Sequence, residues 1–363
     1  MVGIDRRLLQ NVDWMLLITP ACVVGLSALT LSSVSVGRAG GGVAIRQLAW
    51  FGVGLLALIA VASLDYRRLV RIAPLFYVMG LAGLASVFVL GRTVSGAKRW
   101  IVLGSMSVQP AELFKFCFVL TAVWLLSSRW AQPVTGAVLA AALPLLAVPF
   151  VLIIKQPDLG TALLLFPVMI ALLVAAGMRI KLLGGLGLAG ISALPLVWFA
   201  MKEYQRERIL VFLDPFRDPQ GSAYNVIQAK IAIGSGQLVG KGFAGATQSR
   251  LAFLPERHTD FIFAVFAETW GFIGCLVLLT CYAVLLVRGF DIAASAREPV
   301  GRLLALGATA LLGTQVLVNV GMVSGLMPVV GVPLPLMSYG GSSMLVSLMG
   351  LGLLLSVRMR QFQ

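Results

Sequence analysis

Residues 135–154 read TGAVLAAALPLLAVPFVLII and residues 159–177 read LGTALLLFPVMIALLVAAG, with only Lys155-Gln156-Pro157-Asp158 between them. A helix needs about 20 apolar residues to cross the hydrocarbon core of a bilayer. Both runs meet that length and neither holds a charge, so the four-residue corner between them reverses a chain that has just crossed a membrane. Working outward, eight more runs qualify: 14–33, 46–64, 72–90, 111–128, 181–200, 261–287, 302–323 and 339–357. The one long polar stretch is 201–260. Composition agrees, since 59% of the 363 residues are hydrophobic and 12% charged, against about 25% charged in a soluble domain. The fold class expected is therefore all-α: a polytopic membrane bundle of ten transmembrane helices with one large loop at about 201–260. No internal repeat is visible, so residues 1–363 are treated as a single domain.

The net charge of +14 does not point to nucleic acid, because the cations stand singly or in small groups between apolar runs. That is the pattern a membrane's inner face selects. With the N-terminus inside, thirteen Lys/Arg fall on inner segments and seven on the short outer ones. Both termini are thus expected in the cytoplasm, with the long loop outside. Within that loop, 223–233 (AYNVIQAKIAI) has helical apolar spacing and is expected to form a short helix on the outer leaflet. The first run is long enough to span and shows no convincing cleavage site, so it is not read as a signal peptide. Cys22, Cys117, Cys275 and Cys281 lie in apolar runs without CxxC spacing. They are read as buried thiols, not as a disulfide or zinc framework.

Two familiar patterns fail on context. Gly185-Leu-Gly187-Leu-Ala-Gly190 matches a dinucleotide fingerprint, but no strand precedes it and it lies inside a span, where small residues favour close helix packing. Gly236–Gly242 is one residue short of a phosphate loop and lacks the Ser/Thr after Lys241. His258 is the only histidine, which excludes multi-histidine metal centres.

The informative residues are charges placed where a membrane makes them expensive. Lys98-Arg99-Trp100 precedes Gln109-Pro110-Ala111-Glu112-Leu113-Phe114-Lys115, in which Pro110 suits a first helical turn and Glu112 and Lys115 share one helix face. Anchor or substrate contact are both open for that pair. Lys155-Gln156-Pro157-Asp158 is either a structural corner or a second contact. Asp260, at the mouth of the eighth span after Leu254-Pro255-Glu256-Arg257-His258-Thr259, is either a helix cap or a catalytic carboxylate. Glu268 lies too far along and around the helix for a close acid pair with it. The turn from Pro333 to Ser343, with Ser338 and Ser342, either caps the tenth span or offers amides and hydroxyls to an anion. One outward polar site with carboxylates, cations and a Ser/Gly-rich helix start suits an anionic amphiphile.

At these residues the sequence resembles the SEDS family (shape, elongation, division and sporulation). The similarity runs from Asp13-Trp14 to the C-terminus through KRWIVLGSMSVQPAELFK, KQPDLGTALL, RILVFLDPFRDPQGSAYNVIQAKIAIGSG, FLPERHTDFIFAVFAE and PLPLMSYGGSS. The short tails, Gly240-Lys241-Gly242 and Arg257 favour the elongation branch over the division branch. The resemblance implies ten spans and a peptidoglycan glycosyltransferase that polymerises lipid II outside the cytoplasmic membrane. It also implies a class B penicillin-binding protein as crosslinking partner. The family's essential aspartate falls on Asp260, its ion pair on Glu112 and Lys115, and a further carboxylate on Asp158. Two positions depart from the pattern: Thr269 replaces a usual acid and Gln237 a common glycine.

Lipid II carries an α-linked sugar pyrophosphate and the polymer is β-1,4 linked, so one inverting displacement needs a base and cations for the departing pyrophosphate. Asp260 is the expected base. Lys115, Arg99, Lys241 and Arg257 are the expected stabilisers, with room for a divalent cation (Mg²⁺ or Mn²⁺) and no need of a nucleotide. A lipid II flippase is the alternative from another class, and a non-catalytic scaffold a third. The partner's single helix is expected to dock where small residues permit close approach, around Gly274, Gly307, Ala308 and Gly313.

Overall fold

A computed structural model describes residues 11–34, 41–94, 97–104, 106–128, 134–219, 221, 223–246 and 256–361. The long helices are α1 (Met15–Val34), α2 (Gly41–Ser63), α4 (Ala73–Leu90), α5 (Pro110–Ser127), α6 (Gly136–Lys155), α7 (Leu159–Ala175), α8 (Ile180–Ala200), α12 (Ile262–Ser295), α13 (Pro299–Val323) and α14 (Gly341–Arg360). Short helices are α3 (Tyr66–Arg71), α9 (Glu203–Leu213), α10 (Tyr224–Ser235) and α11 (Gly242–Gly245). Among the described residues nine of the long helices have the length and hydropathy of a membrane span. The tenth, α7, has 17 residues, the short end of the spanning range.

The ten expected runs each become a helix, with shifted ends: the second begins at Gly41 and the eighth runs on to Ser295. Pro110 and Pro299 sit in the first turns of α5 and α13, where a missing N–H costs nothing. Two elements go beyond the expectation. Residues 92–108 form a small antiparallel sheet, β1 (Arg92–Val94), β2 (Ala97–Leu103) and β3 (Met106–Val108), in the order β1-β2-β3. The long loop holds α9 and α11 besides α10, which covers the helix expected there.

Helices α5, α13 and α14 form the centre. Burial reaches 78% in the spanning windows of α5 and α14 and 0% in that of α8. A Cβ on Gly185, Gly187 or Gly190 would meet nothing within 4 Å, so the close packing expected of those glycines does not occur: α8 stands apart from the bundle. Gly307 turns the other way. Its Cβ would press on Val119 of α5 and Leu172 of α7, so it packs the interior and is no docking surface. None of the four cysteines is buried; all are free, with Cys22 exposed.

The kink in α12 decides where the loop lies. Gly271 adopts φ 66°, ψ −165° inside the helix, a conformation open to glycine. The hydrogen bonds lost there are made by the loop: Lys241 N–H donates to Glu268 O (2.9 Å), Phe272 N–H to Gln237 O (2.8 Å) and Ile273 N–H to Leu238 O (3.1 Å). Such outside partners make irregular backbone tolerable at membrane depth. Gln237, where the resemblance implies a glycine, has φ 49°.

Candidate active site

One end of the bundle gathers the sheet, the starts of α5, α7, α12 and α14, and the loop helices. Asp158 is its best-held acid, 1% exposed. Its Oδ2 accepts from Gln109 Nε2 (2.7 Å) and Thr161 Oγ1 (3.0 Å), and Oδ1 from Thr161 N (3.2 Å), which caps α7. Arg99 Nη1 stands 4.0 Å from Oδ1. Gln109 also joins this corner to α14, its N–H donating to Ser342 Oγ (3.0 Å).

Asp260 differs. The residue preceding α12 is Phe261 and no side chain caps this helix, so the capping role is absent. Half-buried, its carboxylate makes no hydrogen bond or close ion pair among the described residues. Burial pushes its pKa up to about 6, with Glu256 and Asp158 raising it further and Arg99 and Arg208 pulling it down. A carboxylate poised near 6, unoccupied by hydrogen bonds and faced by two guanidinium groups, has the properties of a general base.

The turn bearing Asp260 is clamped. Asn319 Nδ2 donates to Asp260 O (2.9 Å) and Val332 O (2.7 Å). Ser338 Oγ donates to Thr259 O (2.6 Å) and accepts from Leu334 N (2.7 Å). Tyr339 N–H donates to His258 O (2.8 Å). Asn319→Ala leaves one buried and one part-buried carbonyl without this donor, at ~1–3 kcal/mol each when fully buried. The expected outcome is a loss of roughly 2–6 kcal/mol of stability, read from thermal unfolding in detergent.

The structure thus brings Asp260, Arg99 and Asp158 together and gives the other expected residues different surroundings. Glu112 and Lys115 pair at 2.7 Å, 3% and 0% exposed, with Glu112 Oε2 buried and unpartnered. Lys241 Nζ lies 3.7 Å from Glu268 Oε1, neutralising a buried acid at the kink. The Arg257 charge acts on His258, whose pKa falls through burial and then through that charge. Ser338 and Ser342 are engaged in holding the site's backbone. Thr269 bonds back to Val265 O (2.7 Å), so no second acid stands there. Residues 251–255, the approach to the aspartate motif, lie outside the described residues.

Three site residues escaped the sequence reading. Asn319 had a signal, one of two amides (with Gln315) in the apolar run 302–323, costly in a membrane. Gln109 was noticed only as part of its motif. Arg208 had none, being one cation among eight in the long loop.

Fold and site define a multi-pass membrane protein with an ionisable centre at one end of the bundle. Residues 7–363 match the FtsW/RodA/SpoVE family of cell cycle proteins, and the chain belongs to that family. It is 41% identical over 336 residues to peptidoglycan glycosyltransferase MrdB of Escherichia coli (strain K12), covering 92% of this chain and 90% of that protein. It is 37% identical over 324 residues to stage V sporulation protein E of Bacillus subtilis (strain 168), 86% of each. Among solved structures, a chain of a peptidoglycan synthase complex that coordinates polymerization and crosslinking superposes with a TM-score of 0.81 at 36% identity, covering 97% of this chain and 99% of that one. Rod shape determining protein RodA of Thermus thermophilus gives 0.72 at 33%, covering 97% and 98%.

Proposed function

We propose that this chain is a peptidoglycan glycosyltransferase that polymerises lipid II during cell elongation, with Asp260 as its base. The observation that carries the role is the raised carboxylate of Asp260, which makes no hydrogen bond among the described residues and interacts electrostatically with Arg99 and Arg208. Asp260 takes the proton of the acceptor 4-hydroxyl as its oxygen attacks the anomeric carbon of the donor. The bond from that carbon to the pyrophosphate breaks, and the α-linkage becomes β-1,4. Arg99 stabilises the charge on the departing undecaprenyl pyrophosphate. Asp158, held by Gln109 and Thr161, keeps Arg99 in place.

Lys/Arg asymmetry supports both termini inside and this site outside. The middle of every spanning helix is free of charge, which favours chemistry at one face over passage of a pyrophosphate through the bundle. Among the described residues no three His, Cys, Asp or Glu side chains converge, and both Asp158 oxygens are engaged. The residues present do not fit a protein-held divalent cation, and no step is assigned to one. The similarity to a peptidoglycan synthase complex supports a class B penicillin-binding protein as crosslinking partner.

The test is polymerisation of lipid II by the purified chain with that partner, across pH. Because the base must be ionised, the rate is expected to rise about tenfold per pH unit below 6 and level off above it. A flat profile between pH 5 and 8, measured under chemistry-limited conditions, would remove Asp260 from the base role.

A further inference from the structure

The proposed reaction joins two molecules that each carry a pyrophosphate on a polyprenyl chain, and the two pyrophosphates must sit apart. The donor's is bonded to the carbon under attack, so it departs beside Asp260. The acceptor's is separated from its attacking hydroxyl by the length of a disaccharide. A chain with one cationic centre could hold only one of them.

A second cationic place lies next to the first. A cleft opens between α9, α10 and residues 325–329, walled by Val211, Phe212, Val226, Met327 and Val329, with Arg208 and Lys230 as its charged groups. No carboxylate lines it. Arg208 is partly buried and interacts electrostatically with Asp260, so it stands on the wall shared with the site. Lys230 belongs to α10 and lies directly over Gly325, whose φ of 73° and missing Cβ leave room for the side chain. Neither cation makes a hydrogen bond or ion pair among the described residues. Two cations without a hydrogen-bonded partner among the described residues, over an apolar floor, match a pyrophosphate attached to hydrocarbon.

We propose that this cleft is a second polyprenyl-pyrophosphate subsite, in which Lys230 and Arg208 hold the acceptor's pyrophosphate and the apolar wall receives the first isoprene units. It rests on the glycosyltransferase reading, and the experiment has an arm for each. The full chain in nanodiscs is titrated with farnesyl pyrophosphate, with bound molecules counted by native mass spectrometry. Steady-state polymerisation of lipid II is measured alongside. Wild type is expected to bind two pyrophosphates and Lys230→Glu one. Lys230→Glu is also expected to raise KM for lipid II about tenfold, the ~1.4 kcal/mol of one lost charge-assisted contact, with kcat within about twofold. Lys230→Arg retains both properties. The Asp260→Asn chain, without a base, still binds two pyrophosphates.

One bound pyrophosphate in wild type overturns the second subsite, as do an unchanged KM and stoichiometry in Lys230→Glu. Displacement of the second molecule by equimolar phosphatidylglycerol overturns it as well, assigning the cleft to bulk anionic lipid. Absence of polymerisation by wild type with its partner defeats the glycosyltransferase reading alone, because the farnesyl pyrophosphate count still tests the cleft.

Discussion

Asp260→Asn is expected to insert and fold like the parent chain and to lose polymerisation by at least about a hundredfold, since removal of a general base costs typically 10²–10⁴-fold. Asn is nearly isosteric with Asp, and the contact that holds this position is made by the backbone: Asp260 O accepts from Asn319 Nδ2. The carboxylate caps no helix and accepts no hydrogen bond among the described residues, so its loss leaves no donor orphaned. It also removes a partly buried group whose charged form burial disfavours. Stability should therefore hold or rise slightly at neutral pH. Equal thermal unfolding temperatures and a collapsed rate are the paired readout. A rate above about a tenth of the parent's would give the base role to another group.

How much of this was legible in the sequence depends on which physical signal each feature leaves. The crossings were legible because twenty uncharged apolar residues have few alternatives in water. The bundle's interior arrangement was not. Lipid is as apolar as a protein core, so mean hydropathy, 1.8 for α8, which stands apart, and 1.5 for α5, which is central, does not tell them apart. The glycines of α8 misled for the same reason, since small residues permit close packing without requiring it. The sheet at 92–108 was hidden by the shortness of its strands, β1 and β3 having three residues each. At the site, Asp260 and Asp158 were found because a carboxylate at a span's mouth is costly and therefore meaningful. Lys241 was assigned to the pyrophosphate because nothing local shows that the loop folds back on Gly271 and places it against Glu268. The two serines were half understood: their position at the turn before α14 was right, but they hold backbone.

Lys115→Met should be the most destabilising of the substitutions considered. Lys115 is 0% exposed and its ammonium is 2.7 Å from Glu112 Oε1, so the variant strands a carboxylate that is 3% exposed. Breaking one side of a buried pair costs about 3–5 kcal/mol. Gln109, immediately before the first turn of α5, ties Asp158 to Ser342, so the loss should spread into the site and sharply lower the yield of folded protein. Removing both charges separates anchoring from chemistry. Glu112→Gln with Lys115→Met leaves no uncompensated charge, and most of the stability is expected to return, because a buried pair replaced as a unit is often near neutral. The rate is not expected to return with it. Glu112 Oε2 is buried without a partner, an open charged acceptor three residues along from Gln109, and Gln presents a weaker acceptor there. At least a tenfold deficit should persist in the refolded double variant, measured against lipid II at saturating concentration. A double variant that unfolds and polymerises like the parent would reduce the pair to an anchor for α5, leaving Asp260, Arg99 and Arg208 to carry the reaction.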